Sequence, residues 1–254
     1  MAEVLFYERP VPLNRTQHKD LRIKGVPSMK FAAKVHSVPL TGVEFPLAAR
    51  DVPILFAGTS VADAGPMALL GLRQDENLLV DADGQWAPNV YVPAFVRRYP
   101  FVLAEKPEGQ EGDDFTVFLD EAFEGFGENE GERLFKDDGT DSEVLSRAVS
   151  FLGEFQQHVA RTHWFMDQLR KHDLLEPRNV RLQKDGNAIN LNGLFVVNED
   201  KLRQLDEKTA HEFLQEGVFG WIYSHLLSLP NIDRLALRLN EREAAETAAS
   251  SSVN

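Results

Sequence analysis

The stretch "SEVLSRAVSFLGEFQQHVARTHWFMDQLRKHDLL", residues 142–175, divides the chain of 254 residues into two parts of different character. Its apolar residues recur every three to four positions, at 144/145, 148/149, 151/152, 155, 159, 165/166 and 169. This spacing predicts an amphipathic helix. Ser142 is a suitable N-cap, Glu143 stands in the first turn, and Pro177 marks the predicted end. A long helix therefore begins a helical C-terminal part.

Residues 1–104 have a different pattern, that of short strands with tight connections. Four apolar segments have the length of strands: "KFAAKVH" (30–36), "VPILFAG" (52–58), "MALLGL" (67–72) and "ENLLVD" (76–81). "DADG" (81–84) predicts a turn after the last of them. Ten prolines lie between positions 10 and 100, and proline in a helix interior removes a hydrogen bond. Long helices are therefore not expected here.

The remaining segments complete the predicted architecture. Residues 105–142 are acidic and glycine-rich, with one predicted strand at "FTVFLD" (115–120) in a solvated loop. After the long helix we expect a hairpin turning at Asp185–Gly186, then helices over about 199–206 and 208–229. We predict one α+β domain over residues 1–240, followed by a flexible tail over 241–254. A mainly antiparallel sheet, from the N-terminal half and the strands at 115–119 and 180–197, would be packed by the C-terminal helices.

Composition excludes several classes of function. The chain has no cysteine, which excludes disulfides, thiolate zinc sites and a cysteine nucleophile. Its formal net charge of −13 repels phosphate backbones, so we do not expect nucleic-acid binding. No apolar run approaches the roughly 18 residues of a membrane span, so no transmembrane segment is predicted. The acidic N-terminal sequence does not resemble a signal peptide, and a cytoplasmic location is the default expectation.

The stretch "YVPAFVRRYPF" (91–101) holds two adjacent arginines among aromatic residues. Pro93 favours the start of a short helical turn over 93–98, and Tyr99 before Pro100 favours its end. In one interpretation the aromatic face packs on the sheet and the guanidinium groups cover its rim, which suffices to explain the pattern. In the other, the arginines bind an anionic group. The ligand-binding residues predicted on the second interpretation are Arg97, Arg98, Tyr91 and Trp86.

Candidate metal ligands are few. His158 and His163 diverge on the long helix, whereas His163 and Asp167 share one face. A site would need a third donor, such as His211 or His225. We predict neither a metal site nor a cofactor.

Candidate nucleophiles are equally few. Ser60, in "AGTSVADAG", lacks the G-x-S-x-G elbow, and Ser224 points about 100° away from His225 on a helix. Glycine-rich nucleotide-binding motifs are absent from the sequence. We therefore predict no catalytic residues.

The order of several blocks resembles the bacterial SapC family. "ENLLVDADGQW" (76–86) is followed by "YVPAFVRRYPFVL" (91–103), "LFKDDGT" (134–140), "LNGLFVVNEDKLRQLD" (191–206) and "GVFGWIYSHLLSLPNIDRL" (217–235). The resemblance covers about residues 17–238. It implies an association with the bacterial surface layer, and a genomic neighbourhood of outer-membrane receptors and of halogenase-like or hydroxylase-like proteins. The resemblance assigns a catalytic role to none of the residues.

Three functions remain open from the sequence. The resemblance favours a non-enzymatic binding or accessory protein of a bacterial cell-surface or outer-membrane nutrient-uptake system, with a protein partner or a small anionic ligand. The second is an enzyme, hydroxylase-like with a metal or hydrolytic, whose site is assembled only in three dimensions. The third is a structural surface-layer component exported without a leader. The sequence specifies no oligomeric state.

Overall fold

The computed structural model describes residues 5–105, 115–184 and 187–251, and these form an α+β fold. Two short 3-10 turns lie at Lys30–Ala32 and Gly42–Glu44. The strands are β1 (Pro10–Pro12), β2 (Arg22–Ile23), β3 (Ser37–Pro39), β4 (Ile54–Ala57), β5 (Gly65–Leu69), β6 (Phe101–Glu105), β7 (Phe115–Asp120), β8 (Phe126–Gly127), β9 (Glu132–Arg133), β10 (Leu175–Lys184) and β11 (Asn187–Val197). The helices are α1 (Phe45–Ala48), α2 (Ala94–Arg97), α3 (Glu143–Lys171), α4 (Glu199–Arg203), α5 (Glu207–Gln215), α6 (Val218–Ser228) and α7 (Asn231–Ser251).

The largest sheet has five strands in the order β10-β11-β4-β5-β3, and every neighbouring pair is antiparallel. Its central strand β4 is apolar throughout, and Ile54, Leu55 and Phe56 are completely buried. Because successive side chains of a strand point to opposite faces, both faces of the sheet are covered here. The predicted antiparallel sheet is confirmed, together with the strands predicted at 52–58 and in the hairpin after α3. The turn at Asp185–Gly186 lies outside the described residues.

The described residues form two smaller sheets as well, with the strand orders β1-β7-β6 and β8-β2-β9. Strand β7 confirms the prediction for 115–120. The rest of the acidic segment is less solvated than predicted, because Phe123, Leu134 and Phe135 are buried. These apolar residues stand singly or in pairs among charged residues and glycines, so the sequence contains no apolar run to reveal them.

Two other predicted strands are wrong. Residues 30–32 form a 3-10 turn and the strand begins only at Ser37, while Val80 in the 76–81 segment makes a single bridge to Trp86. The side chain of Asn77 explains the second case. Its oxygen accepts from the Leu79 amide two residues later, and its amide donates to the distant Ala32 carbonyl, so side-chain bonds hold this backbone in place of a strand ladder.

Helix α3 begins as predicted, with the Ser142 hydroxyl accepting from the Leu145 amide at 3.4 Å. It ends at Lys171, earlier than the proline signal indicated, because Asp173 adopts a left-handed backbone with φ of 52°. Pro177 instead lies in β10. This strand stands at the edge of its sheet, where a proline is tolerated.

The helices after the hairpin also differ from prediction. The single helix expected over about 208–229 is two helices, α5 and α6, because Gly217 between them has a left-handed φ of 72°. Residues 241–251, assigned above to a flexible tail, continue helix α7. Within this stretch Arg242 donates to the carbonyls of Asn77 and Val80. Among the described residues, no helix combines the length and the apolarity needed to cross a bilayer.

The buried apolar side chains form two clusters, and α3 contributes to both. The first cluster centres on the five-stranded sheet and includes Phe165, Met166 and Leu169 from the C-terminal half of α3. The second joins the smaller sheets and includes Leu145 and Leu152 from its N-terminal half. Helix α3 therefore connects the two cores.

Candidate functional site

The arginine pair lies at the end of α2, which confirms the predicted helical turn, and its two side chains have different surroundings. The exposed Arg97 donates from Nε to the Val92 carbonyl at 3.0 Å and from Nη2 to the Tyr91 hydroxyl at 3.3 Å. Its guanidinium carbon is 5.2 Å from the centre of the Phe151 ring on α3. Arg97 and Tyr91 are thus in direct contact with each other.

Arg98, the next residue of this turn, is half-buried. Its guanidinium carbon is 3.8 Å from the centre of the Phe95 ring and 5.5 Å from that of Phe155. Burial lowers the pKa of Arg98, and the nearby Tyr7 hydroxyl opposes this change. The group still remains cationic, because the pKa of arginine lies far above neutrality. Arg98 therefore forms part of the packing between α2 and α3.

Glu44, which sequence reasoning missed, fixes the start of this segment. Its carboxylate is only 4% exposed and accepts from the Ala94 amide at 2.7 Å and the Tyr91 hydroxyl at 3.0 Å. The Thr41 amide and hydroxyl donate to the other oxygen at 2.9 and 2.8 Å. Burial, followed by the Glu44 charge, raises the pKa of Tyr91 to about 12, so its hydroxyl remains a donor.

Asp120 fixes the other end in the same way. It is completely buried and accepts from the Tyr99 hydroxyl at 3.1 Å and from the amides of Glu8, Arg9 and Ala122 at 2.8–3.1 Å. Burial, with Asp120 as the next cause, raises the pKa of Tyr99. Two buried carboxylates from distant segments therefore hold the aromatic and arginine stretch rigidly in place.

Trp86 is separated from the arginines in its contacts. It is half-buried, bridges Val80 through its backbone and packs against the first core. Within the described ranges, no hydrogen bond or cation–π contact joins it to Arg97 or Arg98. Of the four predicted ligand residues, the structure brings Tyr91 and Arg97 into direct contact, while Arg98 and Trp86 have separate surroundings.

A cleft of about 360 Å³, which we name the α3 cleft, lies between α3 and the strands β3, β4 and β5. The buried part of its lining is mostly apolar and includes Leu40, Ala64, Phe155 and Met166. The charged and ionisable residues of its lining are Asp63, His163 and Arg170. A mainly apolar concavity with a few polar groups is the usual form of a small-molecule site.

The loop that carries Asp63 is fixed by its own hydrogen bonds. The Ser60 hydroxyl donates to Asp63 Oδ1 at 2.7 Å, and the Thr59 hydroxyl donates to Oδ2 at 2.8 Å. These bonds, that from Ser60 first, lower the pKa of Asp63 well below its usual value. Arg170 ties the loop to α3 by donating to the carbonyls of Val61 and Ala64. The Ser60 hydroxyl is therefore directed at a carboxylate.

The histidines of the sequence analysis are dispersed. His225 is buried inside the fold: the Val197 amide donates to its Nε2 at 3.1 Å, which places the proton on Nδ1, 2.8 Å from the Ile54 carbonyl. Burial lowers the pKa of His225 to about 4, so the ring is neutral. His163 lines the α3 cleft. In the parts of the chain that the structure describes, no three histidine or carboxylate side chains are grouped to hold a metal.

The α3 cleft adjoins the arginine segment through two shared residues. Thr41 lines the cleft and donates to Glu44, which holds Tyr91 and the start of α2. Phe155 lines the cleft and also packs against Arg98. The lining comes from three segments far apart in sequence, so no local pattern could have revealed the cleft.

Comparison with known proteins agrees with the order of the sequence blocks. The SapC family model matches residues 13–235, which is most of the chain. Neither the curated proteins nor the solved structures contain a match. With a family model spanning both hydrophobic cores and the candidate cleft, the chain belongs to the SapC family.

Proposed function

We propose that this chain is a non-enzymatic binding or accessory protein of a bacterial cell-surface or outer-membrane nutrient-uptake system. Family membership supports the setting, since the SapC resemblance implies a surface-layer association and the company of outer-membrane receptors. The α3 cleft supports the binding role, because it combines a mainly apolar lining with a few charged residues. This cleft is the observation that carries the proposal.

The lining suggests the class of ligand. Apolar side chains such as Leu40, Met67 and Met166 favour a hydrophobic body, with about 25 cal/mol gained for each Å² removed from water. His163 and the ionised Asp63 offer hydrogen bonds to a polar end. We therefore propose a small, mainly apolar molecule with one polar end as the ligand of the α3 cleft.

The predicted ligand residues have a place in this proposal. Arg97 and Tyr91 are in contact, and Arg97 is exposed, so they offer a polar, cationic surface to an anionic ligand or a partner protein. Arg98 packs beside this surface on Phe95 and Phe155 and positions it, whereas Trp86 packs against the first core and would contribute only to a larger ligand surface. We propose a cytoplasmic location for the protein, with leaderless export to the surface as the alternative. Cell fractionation would decide between them.

Gly65 gives a direct test of the α3 cleft. It lines the cleft, and a Cβ added there meets no atom within 4 Å. Gly65→Leu would thus place a side chain in the cleft with little clash. Titration with N-phenyl-1-naphthylamine, an uncharged apolar fluorescent probe, should show at least tenfold weaker binding to Gly65→Leu than to the unaltered chain.

Gly153 supplies the matched control. It lies on α3, is not among the cleft residues, and also has nothing within 4 Å of an added Cβ. Gly153→Leu should bind the probe like the unaltered chain. Equal binding by all three proteins would refute the cleft as a ligand site. Stoichiometric iron or zinc in the purified protein would instead favour the enzyme alternative.

The uptake role needs a cellular test. In a strain whose growth depends on a nutrient entering through an outer-membrane receptor, deletion of the protein should slow growth. Gly153→Leu should restore growth and Gly65→Leu should not. Unchanged growth of the deletion strain on every receptor-dependent nutrient would argue against the uptake role while leaving ligand binding intact.

A further inference from the structure

A second concavity, which we name the hairpin groove, lies between the β10–β11 hairpin and the junction of α6 and α7. Its volume is about 500 Å³. The apolar residues that line it are Leu55, Val180, Val196, Leu226, Leu229, Pro230 and Ile232. Its charged lining residues are Arg178 and Arg181 on the hairpin and Asp233 on α7. The groove shares no lining residue with the α3 cleft.

The two arginines of this groove have no partner. Both are exposed, and neither makes a hydrogen bond, ion pair or cation–π contact with any residue in the described ranges. Arg161, Arg170 and Arg203 show the contrast, since each is paired with a carboxylate. In a chain of net charge −13, two exposed arginines in the lining of one groove attract an anion to it.

The β10–β11 hairpin contains a β-bulge beside the groove. Arg178 pairs with Leu194 and Val180 with Leu191, so β11 carries one extra residue opposite β10. Gly193 lies in this bulge with a left-handed φ of 70°. A bulge bends its strand and strengthens its twist. Since β10 is an edge strand, the groove beside it is not closed by a further strand.

The charge distribution sets the orientation of a ligand. Asp233 stands on the helical side of the groove and repels an anion there, whereas Arg178 and Arg181 stand on the hairpin side. We propose that the hairpin groove binds an amphipathic anion. Its alkyl chain would lie along Leu226, Leu229 and Ile232, and its carboxylate or phosphate headgroup would lie on the hairpin side, which both arginines line. This site is independent of the ligand proposed for the α3 cleft.

The experiment is a calorimetric titration of the purified full chain, unaltered and carrying Gly65→Leu, with decanoate, decyl phosphate and decanol. The comparison between these three ligands is made in Gly65→Leu, because decanol can also enter the α3 cleft of the unaltered chain. Decanoate and decyl phosphate should both bind, the tighter of the two identifying the preferred headgroup, and decanol should bind at least tenfold more weakly. From hexanoate to decanoate the affinity should rise about fourfold for each methylene buried. An affinity independent of chain length, or decanol binding as tightly as decanoate, would overturn the proposal.

Matched variants locate the site. Arg178→Gln combined with Arg181→Gln should weaken decanoate binding at least tenfold. Lys171→Gln combined with Lys208→Gln removes the same charge at two exposed lysines outside the groove, and should change the affinity less than twofold. Equal losses in both double variants would show general charge attraction. Loss of binding in Gly65→Leu would place decanoate in the α3 cleft, and either result would overturn the hairpin groove as the site.

Discussion

Gly42 allows helix α6 to approach the 3-10 turn at Gly42–Glu44, because it has no side chain. An added Cβ at this position would lie 2.3 Å from two atoms of the Trp221 ring on α6. The Gly42 amide also donates to the Thr162 hydroxyl of α3 at 2.9 Å. Two helices therefore meet at one residue without a side chain. The surrounding sequence "LTGVEFP" (40–46) does not predict this contact, because Trp221 lies far away in the sequence.

We expect Gly42→Ala to lower the free energy of unfolding by about 1–3 kcal/mol, because the added methyl group overpacks the contact with Trp221. Urea unfolding followed by circular dichroism measures the change. The matched variant is Gly153→Ala, whose Cβ meets nothing within 4 Å on α3. It should stabilise the protein by up to about 1 kcal/mol, because alanine favours helix over glycine. Equal effects in the two variants would contradict this account.

His225 predicts a dependence of stability on pH. Burial lowers its pKa from 6.5 to about 4, so the folded state keeps the ring neutral where the unfolded state takes up a proton. The contribution to stability is complete above pH 6.5 and is lost as the pH falls toward 4. The loss is about 1.4 kcal/mol per pH unit, or roughly 2 kcal/mol between pH 6.5 and 5.

Urea unfolding at pH 7 and pH 5 tests this prediction. Carboxylates also titrate in this range, so the comparison must be made with His225→Gln, in which the titrating ring is absent. The drop in stability between the two pH values should be smaller in His225→Gln by about 2 kcal/mol. The same drop in both proteins would show that His225 does not titrate as proposed.

The helices and strands that were predicted correctly are those whose ends are set by neighbouring residues in the sequence. The N-cap Ser142, the turn after Pro93 and the strand at 115–120 each depend on neighbouring residues, and each was predicted. Glu44 and Asp120 hold α2 from distant segments, so no spacing revealed them. The break at Gly217 was missed because apolar residues at helical spacing resume directly after it, at Val218, Phe219 and Ile222. A left-handed glycine is visible only in the backbone.

The two arginines of α2 should respond differently to the same substitution. Arg98→Gln removes a half-buried group stacked on Phe95 and Phe155, and should cost about 2 kcal/mol of stability. Arg97→Gln removes an exposed group and should cost under about 1 kcal/mol. Chemical denaturation of both variants provides the comparison. Equal costs would mean that Arg98 is not a packing residue.

Arg97 also bears on the predicted ligand surface. If Arg97 and Tyr91 contact an anionic ligand or a partner protein, Arg97→Glu should abolish that binding while the protein remains folded. Retained binding to Arg97→Glu would remove these residues from the proposed function. The α3 cleft would be unaffected by that outcome.

At the scale of the whole molecule, the change of period at Ser142 was sufficient to predict the α+β class. The arrangement of three sheets was not predicted, because strand order depends on pairing between segments far apart in sequence. The same reason hides both clefts, whose linings combine residues from both halves of the chain. The arginines at 97 and 98 are conspicuous in the sequence because they have aromatic neighbours. The unpaired arginines at 178 and 181 lie in a strand with no distinctive motif.

The C-terminal residues allow a test of where the folded domain ends. Arg242 donates to two carbonyls of the 77–80 segment, and Glu243 lies 2.9 Å from Arg73. A chain ending at residue 240 loses these contacts and should be less stable by roughly 2 kcal/mol. A chain ending at residue 248 keeps them and should match the full chain in thermal unfolding. Equal stability of both truncated chains would place the domain boundary near residue 240.

Helix α3 couples the unfolding of the two hydrophobic cores. The two halves of α3 are buried in different cores. Opening either core therefore requires α3 to unfold or to leave the other core. Backbone amides near Leu152 and near Phe165 should therefore exchange with deuterium through one shared opening reaction. The molecule would then unfold in a single cooperative step, although its strands form three separate sheets.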